Sequence, residues 1–337
     1  MSVYYRPLVQ IDAARPAGAT IVACGWAWFS HAERIERGGS RTVVETAEIP
    51  ADVMDRITAP RASIAGLDLR QPRLMGILNV TPDSFSDGGR FFDADAALAH
   101  ARAMAASGAD ILDIGGESTR PGAAEVTDAD EVARTAPVIA ALRNGYDEPL
   151  SIDTRKAAVA RAALEAGADI VNDVAALSYD PALAGVVADA GVPVILMHAQ
   201  GDPATMQADP TYDDVLLDVY DYLEARVTAA RAAGIAADRI VIDPGIGFGK
   251  TVQHNLTLLR GLSLFHGLGC PVLLGASRKR FIGTLAGVED ADDRMPGSIA
   301  VALAGLAQGV QITRVHDTEA TKQAVTLWQA ATGAGQA

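Results

Sequence analysis

Two basic side chains alternate near the carboxyl end of the chain, in Arg314-Val-His-Asp317. Because residues two positions apart in a strand point to the same side, Arg314 and His316 share one surface. Arg120, in the glycine-rich segment 115–122, adds a guanidinium that can bind a phosphate or carboxylate through two parallel hydrogen bonds. The net charge is −14. In so acidic a chain, these three side chains are candidates for a local site that binds a small anion.

The segment 79–89 is polar, ends in two glycines and cannot continue as a strand or helix through Pro82. Asn79, Asp83 and Asp87 carry the hard oxygen atoms that Mg²⁺ prefers alongside phosphate. A surface loop without chemistry would have the same composition, so both interpretations stand at this point.

Three further polar residues, Asp153, Asn172 and Asp243, each follow a short apolar run. Any one of them could equally cap the next helix. Together, on neighbouring strand ends, they would line one cavity. A carboxylate beside an amide suits a planar heterocycle with alternating hydrogen-bond donors and acceptors, such as a pterin or a purine.

The segment 243–251 ends in Gly249-Lys250-Thr251, which is how a phosphate-binding P-loop ends. That pattern requires glycine at position 244, where Pro244 stands, so nucleoside triphosphate binding is excluded for this segment. Phe248 could stack on an aromatic ligand or pack within the protein. Ser277-Arg-Lys-Arg280 follows an apolar run, which favours a functional role for its cations. His198 is predicted to be structural.

Eight apolar runs end at polar residues, and Ala-rich helical segments lie between them. This alternation is typical of βαβ units with buried parallel strands. A count of eight, with no G-x-G-x-x-G after a strand, favours a (β/α)8 TIM barrel over an open doubly wound sheet. The predicted strands are Leu74–Leu78, Ile111–Leu112, Leu150–Ile152, Ile170–Val171, Val194–Met197, Ile240–Ile242, Val272–Ala276 and Ile312–Val315. The predicted helices are Ala94–Ser107, Asp128–Arg143, Lys156–Ala166, Pro181–Ala190, Tyr212–Ala233, Val252–Leu262, Arg294–Gln308 and Thr318–Ala331.

Residues 1–72 break this rhythm and are predicted to be an N-terminal extension to a barrel domain at 73–337. Gly38-Gly39 lies between Ala19–Phe29 and Arg41–Ala47, which indicates a β-hairpin that covers part of the barrel. The acidic charge argues against nucleic acid or an anionic membrane as a partner. No apolar run approaches the roughly 20 residues of a membrane span. Two cysteines and no export signal predict a cytoplasmic chain with free thiols.

Five segments in this order resemble those of the dihydropteroate synthases: Met75–Gly89, Gly115–Gly122, Asp243–Lys250, Ser277–Lys279 and Arg314–Asp317. The resemblance runs from about Arg73 to the carboxyl terminus. It implies a barrel transferase of folate biosynthesis, a target of sulfonamides, and a homodimer. The implied reaction joins 6-hydroxymethyl-7,8-dihydropterin diphosphate to p-aminobenzoate and releases diphosphate and 7,8-dihydropteroate.

The resemblance also implies a role for each matching residue. The pterin would be held by Asp153, Asn172, Asp243 and Lys279, with Met197 packed on its face. The diphosphate would contact Asn79, Arg120, Arg314 and His316, and Mg²⁺ would contact Asn79 and Asp87. The aminobenzoate pocket would be shaped by Phe85, Thr119, Pro121 and Phe248. The residues expected to act in catalysis are Asn79, Asp87, Lys279, Arg314 and His316.

The sequence departs from the family pattern at Arg280, where a serine is common, at 175–177, which is less glycine-rich, and at 199–200. These departures bear on aminobenzoate affinity and sulfonamide response. They leave open a homologue that binds pterin without catalysis. A pterin-binding methyltransferase module is a further alternative, but it has no use for a diphosphate cluster.

Overall fold

The computed structural model describes residues 2–80, 94–117, 126–201 and 206–334. Its amino-terminal part contains a three-stranded antiparallel sheet of β1 (Val3–Pro7), β4 (His31–Glu36) and β5 (Arg41–Glu45). Two short strands, β2 (Thr20–Ile21) and β3 (Trp28–Phe29), pair with each other, and helix α1 spans Ala51–Thr58.

The predicted hairpin is present at Gly38-Gly39, but its first strand was placed wrongly. The strand that precedes the turn is His31–Glu36, not Ala19–Phe29. The run 19–29 is apolar because side chains such as Val22, Trp26 and Phe29 are buried, largely outside regular strands. Hydrophobicity thus identified burial there, not strand structure.

Eight parallel strands form the second sheet, so the predicted barrel is confirmed. In this sheet the strands β6 to β11 are adjacent in chain order. On the other side of β6 lie β13 and then β12. A parallel bridge between Ile242 and Val272 joins the two ends of the sheet. The strands are β6 (Arg73–Asn79), β7 (Ile111–Gly115), β8 (Leu150–Asp153), β9 (Ile170–Asp173), β10 (Val194–Met197), β11 (Ile240–Asp243), β12 (Leu273–Leu274) and β13 (Ile312–Val315).

The helices around the barrel agree with the predicted ones to within a few residues. The exception is α8 (Arg280–Ala286), which was not predicted. This helix has seven residues and no clear apolar periodicity, so the sequence pattern does not predict it. Pro137 lies within α3 without ending it. The helices are α2 (Ala94–Ala106), α3 (Asp128–Arg143), α4 (Ala157–Glu165), α5 (Leu183–Ala190), α6 (Val215–Ala232), α7 (Val252–Arg260), α8 (Arg280–Ala286), α9 (Met295–Leu306) and α10 (Thr318–Thr332).

A separate apolar cluster closes the barrel at the amino-terminal ends of its strands. Ile64 and Leu69, from the segment that enters β6, are buried there. They pack against strand side chains from seven strands: Met75, Ile111, Ile170, Ile195, Val241, Leu273 and Ile312. The extension therefore supplies the floor of the barrel, and the polar strand ends lie at the opposite mouth. The domain boundary at residue 72 stays a prediction.

None of the helices in the described ranges is long and apolar enough to cross a membrane.

Candidate active site

A network of ion pairs and a hydrogen bond joins side chains of four barrel strands, β13, β7, β8 and β9. The guanidinium of Arg314 on β13 donates from Nε to Asp113 Oδ2 and from Nη2 to Asp153 Oδ2, each at 2.6 Å. Asn172 on β9 donates from Nδ2 to Asp113 Oδ2 at 3.0 Å. The parallel register brings these strand ends together: Asp153 aligns with Gly115 on one side and with Asn172 on the other.

Two oxygen atoms in this network lack a hydrogen-bond donor. Oδ1 of Asp113 and Oδ1 of Asp153 are buried, and no donor within the described ranges reaches either of them. Buried polar atoms in native proteins are almost always paired, so an orphaned acceptor requires an explanation. A bound molecule that presents N–H groups would satisfy both atoms.

Burial perturbs the charged groups around this mouth. It raises the pKa of Asp153 to about 7; Arg314 opposes the shift and the Asp113 carboxylate adds to it. Burial also raises the pKa of Asp243, against the effects of the Gly245 N–H and Lys279. For Lys279, burial lowers the pKa to about 7, with Asp243 opposing. Such clustered perturbations are typical of functional sites.

The end of β11 and the segment after it hold two of the predicted ligand contacts, Asp243 and Phe248. Asp243 Oδ1 accepts a hydrogen bond from the Gly245 N–H at 2.7 Å. The Lys279 ammonium lies 4.0 Å from the centre of the Phe248 ring and also donates to the Ile246 carbonyl. Gly247, at φ +85°, permits this approach, because a Cβ there would lie 2.8 Å from Lys279 Cδ. The site therefore combines a carboxylate, that of Asp243, with an aromatic side chain, that of Phe248.

His316 is oriented by the strand-end residue Ser277. The Ser277 hydroxyl accepts from the His316 N–H at 3.2 Å and lies 3.0 Å from Nδ1. The hydroxyl can donate to Nδ1 or accept from it, according to the tautomer of the imidazole. Ser277 thereby holds the His316 ring in one orientation at the barrel mouth.

The three cations at 278–280 do not act as one cluster. Arg278 pairs with Asp317 and Asp292, and Arg280 is exposed at the start of α8. Only Lys279 reaches the site, because a single helix start directs consecutive side chains in different directions. The functional role predicted for this run stays a prediction, and of its three members Lys279 is the one placed to fulfil it.

The remaining predicted residues divide into those described and those not. Asn79 aligns with Gly115 at the barrel mouth, and its Oδ1 lies 3.7 Å from the position that a Gly115 Cβ would take. Met197 aligns with Asp243 and is buried. Six predicted residues lie outside the described ranges: Asp83, Phe85, Asp87, Thr119, Arg120 and Pro121.

Asp113 was not among the residues predicted to contact a ligand, and the predicted strand ended before it, at Leu112. The strand continues to Gly115, and Asp113 lies fully buried at the centre of the network. The run Ile-Leu-Asp-Ile-Gly contained the signal, since a carboxylate inside an apolar run is rarely buried without a partner.

A buried charged cluster was also missed. Lys156 Nζ lies 2.8 Å from Glu131 and 3.3 Å from Glu117, and it donates to the Val126 carbonyl at 2.6 Å. Glu117 in turn accepts from the Val126 N–H at 3.1 Å. Glu117 and Val126 are the described residues on either side of 118–125, and this cluster holds them together.

The chain matches the family of pterin binding enzymes over residues 75–316. It is 50% identical over 268 residues to a dihydropteroate synthase from Neisseria meningitidis serogroup C, covering 79% of this chain and 94% of the relative. The chain belongs to the dihydropteroate synthase family. The prediction of a transferase of folate biosynthesis is thereby confirmed.

Solved dihydropteroate synthases share the fold as well. The Xanthomonas albilineans enzyme with 4-aminobenzoic acid has a TM-score of 0.76 and 50% identity, and the match covers 81% of this chain and 98% of that one. The same enzyme in complex with 7,8-dihydropteroate has a TM-score of 0.73 and 47% identity, with the same coverage. The chain therefore shares the barrel fold of the synthases to which its sequence is similar.

Proposed function

We propose that the chain performs the dihydropteroate synthase reaction at the barrel mouth, with its buried strand-end carboxylates as the pterin site. The observation that carries this assignment is the orphaned Oδ1 atom on both Asp113 and Asp153. A pterin carries amino and ring N–H groups along one edge, which are the donors these atoms lack. Asn172 and Asp243 extend the same polar surface, and Met197 supplies an apolar contact.

The diphosphate would be bound on the Arg314 and His316 side of the mouth. Two of the three guanidinium nitrogens of Arg314 are used by carboxylates, and Nη1 makes no hydrogen bond to the described residues. His316, whose ring is oriented by Ser277, would contribute its imidazole to the same site. Arg120, predicted from the sequence for the same role, would add a second guanidinium.

Mg²⁺ would be held by Asn79 and Asp87 together with diphosphate oxygens, and when bound it supplies positive charge to the leaving group. Among the described residues there is no group of three His, Cys, Asp or Glu side chains suited to a metal. A Mg²⁺ shared with a diphosphate does not need one, because protein commonly supplies only one or two of its ligands. The amide oxygen of Asn79, facing the space above Gly115, fits that requirement.

The aminobenzoate would lie against Phe248, with Phe85, Thr119 and Pro121 as the other predicted contacts. Its amine nitrogen would form a bond to the exocyclic methylene carbon of the pterin. The bond from that carbon to the diphosphate oxygen breaks, and the diphosphate leaves with the electron pair. The nitrogen then loses one proton. Cationic groups at the diphosphate stabilise the departing charge, and no protein nucleophile is required.

The direct test is diphosphate release from the pterin diphosphate, with and without p-aminobenzoate and with Mg²⁺ or a chelator. We expect release and product formation that depend on both p-aminobenzoate and Mg²⁺. Diphosphate release without an aminobenzoate product would contradict the synthase function. Normal turnover in the chelator would remove Mg²⁺ from the proposal and leave the rest intact.

The same proposal includes a homodimer, a cytoplasmic location and competition between sulfonamides and p-aminobenzoate. The free thiols of Cys24 and Cys270 accord with a reducing compartment. Exposed leucines on two helices, Leu285 and Leu327, are candidates for a subunit contact. Light scattering after size exclusion measures the oligomer, and a single-subunit mass would contradict the dimer.

A further inference from the structure

A buried lysine ties the segment 243–250 to the preceding strand end. Lys250 is 3% exposed. Its Nζ contacts His198 Nδ1 at 2.8 Å and donates to the carbonyls of Gly245 at 2.8 Å and Phe248 at 3.0 Å. One ammonium group thus contacts two carbonyls of the segment itself and the side chain of His198, the residue that follows β10.

The partners of Lys250 are neutral acceptors. Burial, with the Lys250 charge adding to it, lowers the pKa of His198 to about 2, so the imidazole is uncharged and Nδ1 can accept a proton. The carbonyls of Gly245 and Phe248 accept the other hydrogens. Burial lowers the pKa of Lys250 well below its usual value, yet its three contacts, two carbonyl oxygens and an uncharged imidazole nitrogen, use the three donors that an ammonium has. Its geometry is therefore determined by the backbone of the segment.

The same segment is pressed against the strand end. Gly245 has a φ of +68°, and a Cβ there would lie 1.8 Å from the His198 carbonyl oxygen. At Gly249, with a φ of +61°, a Cβ would lie 2.4 Å from the Gln200 carbonyl oxygen. These close approaches restrict the positions that the segment can take while it remains in contact with His198 and Gln200.

The two functional side chains of the segment depend on Lys250 to different degrees. Asp243 belongs to β11 and is held by the ladder and by Gly245 N–H. Phe248 lies beyond the strand, and its carbonyl is held by Lys250. Loss of Lys250 should therefore displace the Phe248 ring more than the Asp243 carboxylate.

We propose that Lys250 is a positioning residue for the aminobenzoate site, acting through Phe248 and not by touching either substrate. Nucleoside triphosphate binding was excluded for the segment 243–251. Its lysine would thus have a positioning role instead of a phosphate-binding one. The inference rests on the proposed function, since it assigns Phe248 to the aminobenzoate.

The test is a steady-state comparison of Lys250→Met with the wild type, together with the affinity for 6-hydroxymethyl-7,8-dihydropterin measured by fluorescence. Methionine keeps much of the apolar length and removes every donor. We expect the KM for p-aminobenzoate to rise about tenfold, as the loss of buried charged hydrogen bonds implies, with little change in pterin affinity. Lys322→Met, on the exposed face of α10, is the matched control and should match the wild type.

A double-mutant cycle with Phe248→Ala tests the route of the effect. If Lys250 acts through Phe248, adding Lys250→Met to Phe248→Ala raises the KM for p-aminobenzoate no further. Multiplied effects in the double variant would overturn the proposal. So would a Lys250→Met protein that only loses active fraction, with lower kcat and unchanged KM.

Lys250→Gln, which keeps a donor on a shorter neutral side chain, provides a second variant if Lys250→Met does not fold. An unchanged KM for p-aminobenzoate in that variant also overturns the role of Lys250. The wild type is assayed first: no product there refutes the synthase function, whereas an active wild type with unaffected variants refutes only the positioning role.

Discussion

Arg314 on the last barrel strand and Asp113 on the second are joined by a hydrogen bond of 2.6 Å between Nε and Oδ2. The same guanidinium contacts Asp153 at 2.6 Å. Arg314 therefore neutralises the carboxylates of the proposed pterin site besides facing the proposed diphosphate site. Its position couples the two halves of one substrate.

This coupling changes the expected effect of removing the arginine. From the sequence, Arg314→Ala should weaken diphosphate binding much more than pterin binding. From the structure, we expect Arg314→Met to weaken both 6-hydroxymethyl-7,8-dihydropterin and its diphosphate, because two carboxylates lose their counter-ion. Removing one partner of a buried ion pair also costs about 3–5 kcal/mol of folding free energy. Calorimetric titration with each ligand and urea denaturation measure these effects.

Arg73→Met is the matched control for that experiment. Arg73 pairs with Asp110 at 2.9 Å, at the opposite end of the barrel. It should lose stability without loss of affinity for either ligand. A selective loss of diphosphate affinity in Arg314→Met would support the sequence-based expectation instead.

The perturbed groups at the mouth predict a bell-shaped pH dependence of pterin binding. The pKa of Asp153 is raised to about 7, so its carboxylate takes up a proton and loses acceptor capacity as the pH falls through 7. The pKa of Lys279 is lowered to about 7, so the ammonium is lost as the pH rises through 7. Affinity for 6-hydroxymethyl-7,8-dihydropterin should therefore peak near neutrality. The diphosphate-free ligand avoids titration of the phosphates themselves.

Two variants assign the limbs of that profile. Asp153→Asn should remove the acidic limb, and Lys279→Met should remove the alkaline limb, each with weaker binding at the optimum. Fluorescence titration from pH 5 to 9 measures the profile. An acidic limb that persists in Asp153→Asn would show that another group controls it.

Two glycines with the same backbone conformation predict opposite outcomes. Gly245 and Gly287 have φ values of +68° and +69°, but only a Cβ at Gly245 would collide, at 1.8 Å from the His198 carbonyl oxygen. Gly287→Ala should cost only the strain of a left-handed residue, roughly 1–2 kcal/mol. Gly245→Ala should in addition move the segment after β11 and abolish synthase activity. Activity in Gly245→Ala equal to that of Gly287→Ala would contradict the close approach.

The floor of the barrel should contribute stability without affecting the reaction. Leu69 is 3% exposed among the apolar side chains at the amino-terminal strand ends. Leu69→Ala should lower the free energy of unfolding by about 2–5 kcal/mol, as large-to-small core substitutions do. KM for both substrates should stay unchanged, because the site lies at the other end of the strands. Val43→Thr, on a side chain that is 63% exposed, is the control and should change stability little.

Much of the fold could be predicted because the strands of a parallel barrel are buried on both sides and read as continuous apolar runs. Asp153, Asn172 and Asp243 were recognisable for the same reason, since a polar residue at the end of such a run must face the mouth. The hairpin strand at His31–Glu36 was missed because its two apolar residues, Ala32 and Ile35, are three positions apart and do not alternate with polar ones, and because the neighbouring run 19–29 is more hydrophobic.

The sequence by itself determined the barrel, the polar strand ends and the family, because hydrophobic periodicity and the order of short segments are local properties. Only the tertiary structure decided that Asp113 is part of the site, that Arg278 is engaged away from it, and that Lys250 holds the segment bearing Phe248. Each of these depends on a contact between residues that are distant along the chain or on a backbone conformation. Neither kind of information can be read from the residue types and their spacing.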